Sequence, residues 1–323
     1  MPRVIRNDLG ESFTTESDLI MKKSEYSEGT NRIKVFFQTV LSTIRSSIMD
    51  SLSDRLHVPL RYKRAFGEFP NLKNPKTFNE KICYRKLYPE PIFSILSDKI
   101  EAREYVAYTI GEQYLVPCYK IATNISPKVF AQLPNSFVMK ANHGFGYNLL
   151  VRDKSRYTFP YLYNLSTDWL SRDFYKICRE NHYKKIQPRL IFEKLLLDDD
   201  GQVPKDFKFH CFKKEGHEPV VFIEITHDRF TDYKVDFYDQ DWNLIDIRED
   251  KFSSGRSIEK PKMLDKAMEL ALKLAEGFSY VRVDFYIVGE NIYFGEMTFT
   301  PTAGLTRFKH KETDREWGDL FDL

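Results

Sequence analysis

The sequence predicts an α+β fold, helical at first and then built from antiparallel hairpins. Three observations carry this. No strand pattern occurs before about residue 115, where the apolar residues keep helical spacing. From Tyr114 onward short alternating runs take over, separated by turns rich in Gly, Asn and Asp. The chain closes on the clearest of these, VRVDFYIVGENIYFGEMTFTP at 281–301, two alternating runs around Gly289-Glu290-Asn291. With no early strand, a dinucleotide-binding βαβ start is absent.

The 323 residues suffice for two compact domains or one large one with subdomains. Apolar residues make up 42% and charged residues 30%, ordinary values for a soluble globular protein, and the 26 Phe and 19 Tyr predict a ring-rich core. A net charge of +2 supplies no global field for nucleic acid, so no nucleic-acid partner is expected. Cys83, Cys118, Cys178 and Cys211 lie far apart without metal-ligand spacing and read as free thiols in a reducing compartment. No apolar run is long enough to cross a bilayer and no signal peptide is evident, which predicts a cytoplasmic protein.

Residues 1–30 are polar and turn-rich and read as a flexible N-terminus. A helical region follows over 31–113. Its first helix carries Ile33, Phe37, Val40, Leu41, Ile44, Ile48, Leu52 and Leu56 on one stripe, with Lys34, Arg45 and Arg55 off it. Packing against the body of the protein and peripheral contact with a membrane are both open. Residues 61–75 read as a basic connector, punctuated by Gly67, Pro70 and Pro75. Thr77 opens a helix with Glu80 three residues on, a capping box, and a further helix runs from Pro91 to Gly111.

A first α+β part is expected over 114–192. It holds a strand in LVPCYKIAT, a short helix in SPKVFAQL, a strand at 136–141, the Gly-rich loop NHGFGYN at 142–148, a returning strand, and a helix over 165–185. A Gly-rich loop between two strands is unlike a Walker loop, which leads into a helix. Its backbone N–H groups can close over an anion as a flap, with Lys140 at the end of the incoming strand; a plain tight hairpin is the competing reading. A second part is expected over 193–323. RLIFEKLLL at 189–197 reads as a buried strand in which Glu193 needs a partner, because an unpaired buried charge costs several kcal/mol. DFKFHCF at 206–212 puts Asp206, Lys208 and His210 on one face, and PVVFIEITHDRF is its hairpin partner. A longer polar loop then precedes a helix at 263–276.

In the closing hairpin, a three-residue loop at 289–291 pairs Val288 with Ile292, Asp284 with Glu296 and Arg282 with Thr298. Two carboxylates facing each other across a ladder repel. They are tolerable with a cation between them, and hard oxygen ligands suit Mg²⁺. Two solvated acids on an exposed face would also satisfy the pattern.

The order of these parts resembles the ATP-grasp superfamily, in which two α+β subdomains clamp ATP. The blocks NPKTFNEKI, SDKIEAREYV, FVMKANHGFGYN, DFKFHCF, VRVDFY and FGEMTF, spread over roughly 55–323, are similar to the TupA-like ATP-grasp family of bacterial surface-polysaccharide and teichuronopeptide biosynthesis. The resemblance implies ATP and Mg²⁺ as cofactors. It implies that Lys140 and the flap, with Gly144, Phe145 and Gly146, bind the phosphates; for His143 in the flap, a phosphate contact and a cap on the turn are both open. Glu193, Lys194, Leu195 and Leu196 would hold adenine, Asp206 the ribose, and Lys208 would lie near the phosphates. Asp284, Glu296 and Thr298 would hold the metal, and Arg282 would face the γ-phosphate. Thr298 departs from the superfamily's usual Asn, so its hydroxyl is a weaker ligand. Arg229 is a candidate for the acceptor carboxylate, or a surface ion pair.

The activity implied is a carboxylate–amine ligase acting through an acylphosphate. It would join an amino acid or peptide to a uronic-acid carboxylate of a glycan or nucleotide-sugar precursor, in capsule, O-antigen or teichuronopeptide synthesis. A sugar kinase, or a nucleotide-binding partner of glycan-assembly enzymes at the inner face of the membrane, are the alternatives.

Overall fold

The computed structural model describes residues 51–227, 233–249 and 251–323. The chain divides into two units, Met1–Pro70 and Asn71–Leu323. In the first, helix α1 spans Asp54–Phe66 and ends at Gly67, whose φ of 85° is left-handed. The expected connector is therefore helical through Phe66, because nothing in Arg61–Phe66 interrupts the helical ladder before Gly67. The flexible N-terminus and most of the apolar stripe at 33–56 lie outside the described residues.

In the second unit, α2 (Phe78–Leu87) starts at the predicted capping box: Thr77 Oγ1 accepts from Glu80 N, and Glu80 accepts from Thr77 N. Glu80 also accepts from the backbone N–H groups of Asn71 and Lys76, at 2.7 and 2.9 Å. Three cations of α2 are buried as donors to carbonyls elsewhere: Lys81 to Gly318 O, Arg85 to Tyr280 O and Lys86 to Ala303 O. The helix expected from Pro91 to Gly111 is divided into α3 (Pro91–Leu96) and α4 (Ala102–Thr109). Asp98 causes the break by accepting from Ile100 N at 2.8 Å, a local bond that competes with the helical ladder.

Strands β1 (Cys118–Ala122), β2 (Phe137–Ala141), β3 (Asn148–Val151) and β4 (Leu190–Glu193) form an antiparallel sheet in the order β1-β4-β2-β3. The expected strand at 189–197 is limited to β4. Helices α5 (Pro127–Gln132) and α6 (Phe159–Ser171) accompany this sheet, whose inner face buries Phe137, Met139 and Phe192 with Leu162 and Trp169. Strand alternation leaves Lys140 and Glu193 on the opposite face. The helix expected over 165–185 starts earlier, at the Thr158 cap, and breaks at Arg172, which is extended (φ −82°, ψ 129°). Short α7 (Tyr175–Cys178) and a 3₁₀ turn at Asn181–Lys185 follow. Trp169 and Phe174 share one core across the break, so the periodicity reported a common core and not a continuous helix.

The second sheet is antiparallel and six-stranded, in the order β10-β9-β5-β6-β7-β8. Its strands are β5 (Asp206–Phe212), β6 (Val220–His227), β7 (Lys234–Tyr238), β8 (Leu244–Ile245), β9 (Tyr280–Val288) and β10 (Asn291–Thr298). Strands β7 and β8 occupy part of the expected polar loop. One face buries Phe209, Ile223 and Val283 against Leu270 and Leu274 of α8 (Leu264–Leu274). On the other face, Phe212 and Tyr280 pack with Phe78 of α2 and Trp317 of α9 (Lys311–Asp319). Beyond that aromatic cluster the same face turns charged. Among the described residues no helix is long and apolar enough to cross a membrane, and none of the four cysteines is in a disulfide.

Candidate active site

The closing hairpin sets Asp284 opposite Glu296 and Arg282 opposite Thr298, but not by the expected route. The loop is two residues, Gly289-Glu290, with Val288 opposite Asn291, and this register runs to the Phe285–Phe294 pair. An extra residue, Gly295, then bulges, and Glu296 falls opposite Asp284. Without the bulge Glu296 would pair with Val283 and point into the apolar core. A Cβ at Gly295 would lie 3.1 Å from the Asp284 carbonyl oxygen, so the bulge is tight.

The cation between the two acids is the guanidinium of Arg282. Its Nε donates to Asp284 Oδ1 at 2.7 Å. One terminal nitrogen donates to Asp284 Oδ2, Glu296 Oε1 and Thr298 Oγ1 at 2.8, 3.0 and 3.1 Å. Burial pushes the Asp284 carboxyl up to about 7 against the pull of Arg282, and Glu296 adds to the push. Burial also works against the guanidinium, but Asp284, Glu224 and Glu296 outweigh it and hold Arg282 charged.

Strand β5 extends the charged face. Lys208 stands opposite both Asp284 and Glu224, and its Nζ donates to Glu224 Oε1 at 2.9 Å. The other Glu224 oxygen meets His210 Nε2 at 3.1 Å, and His210 Nδ1 meets the Tyr280 hydroxyl at 2.9 Å. Burial lowers His210 to about 4, so this imidazole is neutral. Burial would raise Glu224, but Lys208 and His210 hold it well below the usual carboxylate range. Asp206, at the start of β5, is opposite Tyr286.

The four-stranded sheet brings Lys140 and the flap. Lys140 Nζ lies 2.8 Å from Glu193 Oε2, and Arg103 lies 3.0 Å from Glu193 Oε1. The buried Glu193 thus has two cationic partners within the chain itself. Lys140 also feels Tyr286 and Asp206 of the second sheet, so the two sheets converge here. After Glu193 the chain leaves the strand: Lys194 donates its N–H to Pro117 O and is exposed, while Leu195 is buried. The Gly-rich flap closes on itself by a bond from Ala141 N to Tyr147 O and is bordered by strands on both sides, as predicted. Lys99, in the turn between α3 and α4, donates to Gly144 O at 2.6 Å and lies 3.6 Å from Glu296 Oε2. It joins the flap to the paired acids.

A family model described as TupA-like ATPgrasp matches residues 80–322. The chain belongs to the TupA-like ATP-grasp family. Its fold is an ATP-grasp fold, mixed α and β with antiparallel sheets. No curated protein matches the chain. Similar solved structures include D-alanine–D-alanine ligase from Bacillus anthracis complexed with ATP (16% identity, 65% of this chain and 56% of that one, TM-score 0.36). The same enzyme from Helicobacter pylori (12%, 76% and 67%, 0.41) and an L-amino acid ligase from Bacillus licheniformis (11%, 78% and 57%, 0.41) are further examples. The chain spans little more than half the length of the first of these.

For this ATP-grasp chain, the oxygen donors of Asp284, Glu296 and Thr298 fit a hard cation by type. Among the described residues no cluster of three or more His, Cys, Asp or Glu side chains has metal-ligand geometry. A Mg²⁺ ion held here would share these oxygens with Arg282 and draw further ligands from phosphate and water. Arg229 lies outside the described residues. Reading the sequence assigned no role to Lys99, Arg103 or Glu224. Lys99 and Arg103 sit in the quoted block SDKIEAREYV, where five charges within a short apolar-spaced segment were the available signal; Glu224, an acid inside the apolar run VVFIEIT, was another. A cavity of about 400 Å³, lined by Cys211, Pro219, Leu272 and Phe278 with Glu269 and Lys273, contains none of these groups. The chemistry, and not the cavity, marks the site.

Proposed function

We propose that this protein is an ATP-dependent carboxylate–amine ligase. The observation that carries the reading is the face formed by Arg282, Asp284, Glu296 and Thr298 beside Lys208, with Lys140 and the flap converging on it. ATP is the phosphoryl donor. Lys140, His143 and the flap from Gly144 to Gly146 bind its phosphates, the segment Glu193–Leu196 offers backbone groups to adenine, and Asp206 takes the ribose. Asp284, Glu296 and Thr298 would hold Mg²⁺, which would supply positive charge against the phosphates. Arg282 and Lys208 are fixed cations at the transferring phosphoryl group, preorganised by Glu224 and the acid pair. An acceptor carboxylate oxygen attacks the γ-phosphorus and ADP leaves. An amine then attacks the acyl carbon, phosphate leaves, and the amine gives up a proton. No side-chain nucleophile is needed.

The acceptor proposed is a uronic-acid carboxylate in a bacterial surface glycan or its nucleotide-linked precursor, joined to an amino acid or short peptide. Arg229 is the proposed carboxylate contact. Mass spectrometry after incubation with ATP, Mg²⁺, a uronic-acid glycan and mixed amino acids tests this: ADP with an amide product is expected. A phosphosugar would replace the ligase with a kinase, and nucleotide binding without turnover of any acceptor would leave a non-catalytic partner. Asp284→Asn and Glu296→Gln should each abolish Mg²⁺-dependent turnover; wild-type rates in either would remove the metal assignment.

A further inference from the structure

We infer that Phe174 is a positioning residue for the Gly-rich flap, its ring forming the seat on which the backbone of Gly144 rests. The two glycines of the flap are required for different reasons. Gly146 has φ 78°, where side chains are strained, and open space where a Cβ would stand. Gly144 has no such φ, so its backbone suits any residue. A Cβ there, however, would lie 2.4 Å from Cδ2 and 2.6 Å from Cγ of Phe174. The absence of a side chain at 144 is therefore a packing requirement set by one ring.

Phe174 is buried, and it comes from the segment between α6 and β4 and not from the flap's own hairpin. Its ring meets those of Phe145, Tyr147 and Tyr183 at centroid distances of 5.1, 6.0 and 4.7 Å. The neighbouring Arg172 supplies a carbonyl 3.2 Å from His143 Nε2. The flap is thus held by Phe174 and Arg172, while the Gly144 carbonyl is tied by Lys99. The same segment reaches the turn that follows the paired acids, where Thr300 Oγ1 donates to Glu180. A glycine loop left to itself samples many conformations, and fixing it carries an entropic cost. An aromatic seat orders the loop through its carbon surface and leaves flap N–H groups available for phosphate oxygens. Only that last assignment, to phosphates, rests on the proposed function; the seat does not.

The test is a double-mutant cycle on the full chain, read by hydrogen exchange over residues 141–148 without nucleotide. Phe174→Ala should speed flap exchange by about tenfold while β5 and β9 keep wild-type protection. Phe174→Tyr should restore it. Gly144→Ala should have the same effect in the wild-type background, because the methyl unseats the flap, yet add little on top of Phe174→Ala. Affinity for ATP should weaken in parallel. If Phe174→Ala fails to fold, Phe174→Leu with and without Gly144→Ala gives the same comparison. Flap exchange unchanged in Phe174→Ala (or Phe174→Leu), or equal Gly144→Ala effects in both backgrounds, would overturn the assignment. A wild-type chain that binds no nucleotide would instead remove the ATP reading, with the exchange cycle still deciding the seat.

Discussion

Arg282 determines how two facing acids persist in the protein without a ligand. It forms two bonds to Asp284, one to Glu296 and one to Thr298, all with little exposure of its own side chain. Breaking a buried ion pair by removing one partner typically costs about 3–5 kcal/mol, because the other charge is left uncompensated. Arg282→Ala should therefore lower the melting temperature strongly, and Mg²⁺ without nucleotide should recover part of the loss by filling the same role. The wild-type chain should respond much less to Mg²⁺, since Arg282 already serves. Thermal melts with and without Mg²⁺ check this; a variant as stable as wild type, or indifferent to Mg²⁺, would show that the guanidinium is not the acids' main support. Lys140 is bound in a similar way by Glu193, with Arg103 as the second partner. Lys140→Ala should raise the ATP requirement steeply and leave Glu193 paired with Arg103, so nucleotide titration should change much more than stability. Unchanged nucleotide affinity would reduce the flap to an ordinary hairpin.

At the scale of elements, stability prediction is sharpest at the start of α2. Glu80 accepts three backbone N–H groups, from Asn71, Lys76 and Thr77, where a usual capping box uses one. Glu80→Ala should then cost more than an ordinary cap, about 2 kcal/mol, with Thr77→Ala nearer 1 kcal/mol. Urea unfolding of the full chain measures both, and equal small losses would mean that Asn71 and Lys76 find water at no cost. This cap was legible because its signal is local, as was the flap between β2 and β3. The pairing of Asp284 with Glu296 was also legible, but through a three-residue loop that the chain does not use. A two-residue loop plus a bulge at Gly295 gives the same pair, and alternation alone cannot separate the two. Breaks inside apparent helices were not legible. Asp98 and Arg172 interrupt stripes that remain apolar because both halves face one core. The partners of Glu193 and Glu224 were hidden for a different reason: a buried acid announces that it needs a cation, but not which distant one it will meet.

At the scale of the whole molecule, buried imidazoles contribute to the response to acid. Burial is the main cause that lowers His182 to about 3, with the nearby Lys86 charge adding to it, and burial lowers His210 to about 4. Both are neutral in the fold, whereas in the unfolded chain each takes a proton near its ordinary value of 6.5. Below that value the unfolded chain binds more protons, so the stability these residues contribute is complete above about pH 6.5 and is lost as pH falls toward 4 and 3. Asp284, pushed up to about 7, acts with the opposite sign: its contribution is present at low pH and lost as pH rises through 7. A single titration of stability therefore mixes the two directions, and comparison with a variant separates them. His182 is the better choice, since it packs on Phe93 and Tyr183 and its Nδ1 has no hydrogen-bond partner among the described residues. In His182→Phe the ring stays and the titration goes. The wild-type chain should lose about 2 kcal/mol more than this variant between pH 7 and pH 5, from the shift of the one imidazole. Parallel curves for the two proteins would mean that His182 takes up its proton in the fold over the same pH range as in the unfolded chain, against both burial and the Lys86 charge.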